Sequence, residues 1–271
     1  MTLKVWPDLR REVAPTMRFQ NKVVLVTAAA SGIGAATARA FAQEGGKVVL
    51  ADINDDAGRA LTDALVGEGL IALYHHADVT GEADCAAIVA HAVEAFGRLD
   101  VAVNVVGNIG SGTATTSLLH EESLECYQTV VDLNLKSAFF GMKHQIIQMM
   151  KQGGGAIANT TSMAGLRVSN EALASYSAAK AAVVHLSEWA AVRYADRNIR
   201  VNVVAPGLTA TPAVRAIFDD AKLMEMALRT QPMARLMAPE DIADAFLWLC
   251  SDGAGGVTGL TVPVAGGWAA R

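Results

Sequence analysis

Two hydrophobic periods exchange regularly along this chain, and that exchange constrains the fold more than any other feature. Short, continuously apolar, β-branched runs at 23–27, 47–52, 71–79, 99–105, 156–161, 199–205 and 257–264 read as strands. Between them lie longer segments of helical period at 33–44, 55–68, 82–96, 124–150, 172–195, 212–229 and 239–251. Strands apolar at every position are buried on both faces, as parallel strands are. Right-handed crossovers then pack each helix back on the sheet. The expected fold is α/β: a doubly wound parallel sheet of about seven strands with helices on both faces, in one domain. Glycine pairs and triplets after the helical segments, such as Gly45-Gly46 and Gly153-Gly154-Gly155, agree with these boundaries.

Composition narrows the function. Of 271 residues, 52% are hydrophobic and 18% charged, with 22 basic against 27 acidic side chains. A disordered chain, a coiled coil and a polybasic nucleic-acid binder are poor matches to those figures. No run of about 18 residues is free of polar interruption, so no membrane-spanning helix is expected. Residues 1–20 carry Lys4, Asp8, Arg10, Arg11, Glu12 and Arg18 without an apolar core, unlike a secretory signal; a cytoplasmic location is expected. Residues 1–18 stand outside the alternation and read as an N-terminal arm to a single domain at 19–271. Cys85, Cys126 and Cys250 are far apart in apolar stretches and read as small core residues. No two histidines share i, i+4 spacing, and no metal site is expected.

The first strand ends in Thr27-Ala28-Ala29-Ala30-Ser31-Gly32-Ile33-Gly34, which opens the first helix. Such a turn lets the backbone approach a pyrophosphate, and the helix N-terminus offers it free N–H groups and partial positive charge. Asp52 ends the second strand, 20 residues beyond Gly32, where a carboxylate accepts hydrogen bonds from ribose hydroxyls. The same carboxylate repels a 2′-phosphate, and neither Ser31 nor the neighbouring Ile53 supplies a compensating cation, so NAD is favoured over NADP. Asp78, beside Val79 at the end of the third strand, reads either as a partner for the adenine amino group or as a strand-end turn residue.

Tyr176 and Lys180 are one helical turn apart and share a face. A free phenol titrates near about 10 and is a poor base at neutral pH. An ammonium about 4 Å away, at an effective dielectric of about 20, favours the phenolate by roughly 4 kcal/mol. A tyrosine tuned in this way exchanges a proton with an alcohol as hydride leaves its carbon.

From about residue 19 onward the chain resembles the short-chain dehydrogenase/reductase family. Its motifs recur in order: the turn at 27–34, the strand ends at Asp52 and Asp78, Asn104-Val105-Val106-Gly107, Asn134, Ser162, Tyr176-Ser177-Ala178-Ala179-Lys180, and Pro206-Gly207. The resemblance implies a Rossmann-like fold and an NAD-dependent alcohol dehydrogenase or carbonyl reductase. Ser162 would then orient the substrate oxygen, with Thr160 and Thr161 as close competitors on position alone. Tyr176 would be the acid/base, Lys180 would lower its pKa and hold the nicotinamide ribose, and Asn134 would secure a relay water. Ser31, Gly32, Ile33, Gly34, Asp52, Ile53, Asp78, Val79, Asn104 and Gly107 would line the cofactor, with Pro206, Gly207, Thr209 and Thr211 at its nicotinamide end. A homotetramer built on the helices at 124–150 and 172–195 is also implied.

Three departures from the family pattern matter. The first glycine of the turn is Ala28, whose Cβ predicts a negative φ. Val105 and Val106 replace an Asn-Ala pair. Ser162 and Tyr176 stand 14 positions apart, one more than usual, which predicts a bulge at 166–173 on the pocket rim. Strand-end loops at 108–112, 163–168 and 208–237 should wall the substrate site. The last is an apolar, methionine-rich lid suited to a hydrophobic or cyclic secondary alcohol. Arg167 reads as a solvated loop residue or as a partner for a substrate carboxylate. Two other readings stand beside this one: a 3-oxoacyl thioester reductase and a non-catalytic dinucleotide-sensing protein.

Overall fold

The computed structural model describes residues 17–107, 118–169, 172–214 and 221–271. All but the last two residues of the expected arm at 1–18 and the expected wall at 108–112 lie outside them, as does part of the expected lid. Seven parallel strands form one sheet in the order β3-β2-β1-β4-β5-β6-β7. They are β1 (Val23–Thr27), β2 (Lys47–Asp52), β3 (Ala72–His76), β4 (Val101–Asn104), β5 (Gly155–Thr160), β6 (Ile199–Pro206) and β7 (Thr261–Val264). The described helices are α1 (Gly32–Gln43), α2 (Asp55–Gly67), α3 (Glu82–Phe96), α4 (Leu124–Val131), α5 (Ser137–Gln152), α6 (Ala174–Tyr194), α7 (Ala221–Thr230) and α8 (Pro239–Cys250).

Alternate strand residues face opposite helical layers, as the period of two requires. Val24, Val26, Val48, Leu50, Val101 and Val103 share a core with α1, α2 and α8. Val23, Leu25, Val49, Ala51, Ala102 and Ile157 share the other core with α3, α5 and α6. Each buried valine or leucine contributes about 1.5–3 kcal/mol of transfer free energy, so the central strands β1, β2 and β4 anchor the molecule. The three cysteines are buried, and burial pushes the Cys85 and Cys250 thiols up to about 12, which leaves them inert.

The structure differs from the expected elements at several places. β3 stops at His76 rather than continuing to 79, because the Asp78 carboxylate takes the Thr80 N–H and draws the chain into a turn. β7 is shorter than expected and half-exposed, an edge strand whose Pro263 has no N–H to donate. The helix expected at 124–150 is a rod interrupted by a π turn, Asp132–Lys136. The segment expected as one helix at 212–229 contains a 3₁₀ turn, Pro212–Val214, and the separate α7, while 215–220 lie outside the described residues. Among the described residues no helix is long and apolar enough to cross a membrane.

Candidate active site

Because all strands are parallel, their carboxyl ends share one edge of the sheet. The order reverses between β1 and β4, opening a crevice there. The turn after β1 enters it first. A methyl group on Gly34 would fall onto the Ala28 carbonyl oxygen, so α1 starts close against the turn. Ala28 itself has φ +48°, in the left-handed region, which corrects the expected negative value. The turn wins over the local preference because Ala29 N–H must reach the Ala51 carbonyl, 3.2 Å away, and Ala30 N–H the Asp52 carboxylate, 2.9 Å away.

Asp52 therefore ties β2 to the turn. Its second oxygen accepts Asn54 N–H at 2.9 Å, and each carboxylate oxygen keeps a lone pair for a further donor. Ile53 beside it is exposed. Asp78 is exposed too, and one of its oxygens accepts both the Thr80 N–H and hydroxyl, so the turn role is the one the geometry displays. Val79 is half-buried against the core under α3. On the far side of the crevice the segment after β6 comes back to the turn: a methyl on Gly32 would meet Thr211 Cγ2 at 3.1 Å. Thr209 is buried and donates to the Gly207 carbonyl at 3.0 Å. Pro206 and Gly207 thus lead a strap over the helix start that follows Ser31.

Asn104 lies at the end of β4, but its side chain turns inward. It exchanges hydrogen bonds with Gln145 at 3.0 and 2.8 Å and donates to Asn159 at 2.8 Å, and Asn159 donates on to Ser187 at 2.9 Å. Such a satisfied polar network couples β4 and β5 to α5 and α6.

The reactive group gathers at the ends of β4 and β5. Lys180 is buried, and its ammonium donates to the Val106 and Thr160 carbonyls, each at 3.1 Å. A methyl on Gly107 would lie 2.5 Å from Lys180 Nζ and 3.0 Å from Asn134 Oδ1, so only glycine lets these two approach the strand end. Asn134 sits in the π turn and donates to the Val130 carbonyl at 2.9 Å. π turns of this kind occur often at functional sites. Lys180 Nζ lies 5.8 Å from the centre of the Tyr176 ring. The Ser162 hydroxyl faces the Tyr176 phenol closely enough to favour its ionised form, and it also accepts Ala164 N–H at 3.2 Å. Among the three hydroxyls at 160–162 it is therefore Ser162 that engages the phenol. Thr161 instead donates to the Lys180 carbonyl at 2.7 Å.

The electrostatics differ from the expectation. Burial raises the Tyr176 phenol above its ordinary value, and the nearby Ser162 hydroxyl only partly opposes this. Burial lowers Lys180 to about 7. The reason is desolvation, which disfavours both charged forms in a dry cleft.

Two contributions were not anticipated. The short C-terminal 3₁₀ turn, Trp268–Ala270, packs with Leu166 and Met163 beside Ser162, and Arg167 donates to the Ala269 carbonyl at 3.1 Å. Tyr176 also packs with Leu173 against Cys126 and Val130 of α4. The expected rim bulge is described in part, with Val168 fully exposed and residues 170 and 171 outside the described set.

The narrow glycine cradle at Gly34 and Gly107 and the spare acceptors of Asp52 suit a dinucleotide. Comparison with known proteins agrees. A family model described as enoyl-(acyl carrier protein) reductase matches residues 27–269. Cyclohexanol dehydrogenase of Acinetobacter sp. (strain SE19) is 38% identical, over 94% of this chain and 97% of its own. Cis-4-hydroxycyclohexanecarboxylate dehydrogenase of Sinomonas cyclohexanicum is 42% identical, over 93% and 98%. The structure of 7α-hydroxysteroid dehydrogenase complexed with NADH and 7-oxo glycochenodeoxycholic acid superposes with a TM-score of 0.86 at 33% identity, over 95% and 98%. Fold order, the family model and the relatives agree, and the chain belongs to the short-chain dehydrogenase/reductase family.

Proposed function

We propose that this oxidoreductase interconverts a ring secondary alcohol and its ketone with NAD, using Tyr176 as the acid/base. The observation that carries the reading is the Ser162–Tyr176–Lys180 cluster at the mouth of the glycine cradle. Ser31, Gly32, Ile33 and Gly34 would hold the pyrophosphate, Asp52 the adenosine ribose, and Pro206, Gly207, Thr209 and Thr211 the nicotinamide end. When bound, the nicotinamide would supply the hydride acceptor for the alcohol carbon, and the hydride donor in the reverse direction. Ser162 hydrogen-bonds the substrate oxygen. The Tyr176 oxygen accepts the hydroxyl proton as the C–O bond becomes a carbonyl, and returns it in the reverse direction. Lys180 compensates the phenolate by holding a proton on Nζ, and Asn134 beside it anchors the outward path of that proton.

Relatives that act on cyclohexanol and on a hydroxycyclohexanecarboxylate support a ring substrate. The apolar residues Met163, Leu166 and Trp268 near Ser162 are suited to a ring face. The description of the matching family model favours a second reading, reduction of an acyl thioester. The Asp52 carboxylate opposes the 2′-phosphate of NADPH, the usual reductant for that chemistry, and so speaks for the alcohol. A purely dinucleotide-sensing role would leave the gathering of Ser162, Tyr176 and Lys180 without purpose. The expected lid at 208–237, the single domain at 19–271, a homotetramer and a cytoplasmic location belong to the same proposal.

The test is incubation with NAD and a panel of cyclic, aromatic, steroid and acyclic alcohols, followed by nicotinamide absorbance. Ring alcohols should turn over with NAD in preference to NADP. Tyr176→Phe should abolish turnover while fluorescence quenching still reports nucleotide binding. Full activity in that variant would overturn the assignment.

A further inference from the structure

Helix α6 carries both Tyr176 and Lys180, yet it starts without a cap of its own. Leu173 stands at the N-cap position with an apolar side chain, leaving the N–H groups of the first turn to find acceptors elsewhere. They find Glu122, which lies 52 residues upstream of Ala174. Its carboxylate accepts Ala174 N–H at 2.6 Å, and each of its oxygens lies 3.3 Å from Ser175 N. A charged acceptor at a helix N-terminus combines a charge-assisted hydrogen bond with a favourable interaction with the helix dipole.

Glu122 is itself held. It directly precedes Ser123, the N-cap of α4, whose hydroxyl accepts Cys126 N–H at 3.1 Å. Cys126 and Val130 of α4 then pack on Leu173 and Tyr176, and Val130 accepts the Asn134 amide. One stretch, 122–134, therefore caps the first turn of α6, supports the Tyr176 ring and presents Asn134. Tyr176 is the residue immediately after the two capped N–H groups.

We propose that Glu122 is a positioning residue for Tyr176: by capping the first turn of α6 from outside the helix, it fixes where the phenol stands relative to Ser162. The inference rests on the proposed role of Tyr176. Glu122 touches no reacting atom, and the nucleotide turn at 27–34 belongs to another part of the crevice, so its removal should affect turnover and leave nucleotide binding alone. Small misplacements of a reacting group have large kinetic effects.

The experiment compares Glu122→Ala and Glu122→Gln in the whole protein, measuring kcat, nucleotide affinity by fluorescence quenching, and amide exchange by mass spectrometry. Glu122→Ala should lower kcat by about tenfold, keep nucleotide affinity within about twofold, and speed exchange locally at 174–180. Glu122→Gln keeps an acceptor oxygen and should restore most of both losses. The proposal is overturned if Glu122→Ala retains kcat within about twofold, if the glutamine variant falls as far as the alanine, or if exchange accelerates equally throughout. If the unsubstituted protein oxidises no ring alcohol, the proposed function fails by itself. The local exchange difference then still decides the cap: acceleration confined to 174–180 upholds the positioning, and no change overturns it.

Discussion

Lys180 keeps its amine where water does not reach, and this gives the protein a stability that depends on pH in an unusual direction. A lysine in a salt bridge has a raised pKa and loses its contribution as pH rises. Here burial lowers Lys180 from its ordinary 10.5 to about 7. Between these values the unfolded chain binds a proton that the folded protein does not, so stability climbs with pH across about 7 to 10. Below that window both states are protonated and the slope vanishes. Lys180→Met should remove this climb, which denaturant titrations at pH 7, 8.5 and 10 will show; parallel curves for the two proteins would refute the buried amine. Tyr176 acts at the other end. Its raised phenol remains protonated in the fold after the unfolded chain has ionised, so stability declines again above about pH 10. Ala28 is a residue-scale case of a different kind. An L side chain in the left-handed region costs about 1–2 kcal/mol, and a glycine there gives back part of that gain through a freer unfolded chain. Ala28→Gly should stabilise the protein by about 1 kcal/mol, read as a higher Tm. An unchanged or lower Tm would mean that the turn is not held as described.

Elements were legible in the sequence to the degree that local chemistry alone sets their ends. Helix α3 runs over Glu82–Phe96 as its period and flanking glycines predict, with Gly97 in the left-handed cap. The strands β1 and β2 match residue for residue because each carries a buried, continuously apolar stretch, Val23–Val26 and Val48–Ala51, between polar flanks. The π turn at Asp132–Lys136 was not legible, since one extra residue in a turn leaves no compositional trace. Its only signal was a lone amide, Asn134, within an apolar stretch. The direction of Asn104 was legible in principle. It shares the parity of Ala102, which faces α5 and α6, and Asn159 shares that of Ile157. Period two therefore sends both amides to the helical side, where Gln145 and Ser187 meet them, whereas reasoning from strand-end position alone aims Asn104 at the cofactor. Glu122 lay beyond sequence reasoning, because its partners are backbone N–H groups that every residue carries.

At the scale of the whole molecule, the parallel sheet explains why residues as distant as Gly32, Gly107, Ser162 and Thr211 meet along one edge. The opposite consideration is what the sheet leaves uncovered. Large apolar side chains stand exposed on the α4–α5 rod, with Leu124 at 70%, Tyr127 at 50%, Phe139 at 49%, Ile147 at 44% and Met150 at 48% exposure, and on α6 with Trp189 at 53% and Val192 at 80%. α5 and α6 cover the same face of the sheet. Phe139 and Ile147 are eight residues apart and Met150 three further, so they lie along one side of α5. Apolar residues grouped in this way on neighbouring helices are what the proposed homotetramer would cover. A self-complementary face of this kind closes by two-fold symmetry, and it agrees with the proposed homotetramer. Sedimentation at micromolar concentration should give four chain masses. Replacing Phe139 and Ile147 together by glutamate places charges where a partner would desolvate them, and should yield a smaller species. Neither residue touches the nucleotide turn, so that species should retain nucleotide affinity. A monomer for the unsubstituted chain, or an unshifted mass for the double variant, would remove this face from the assembly.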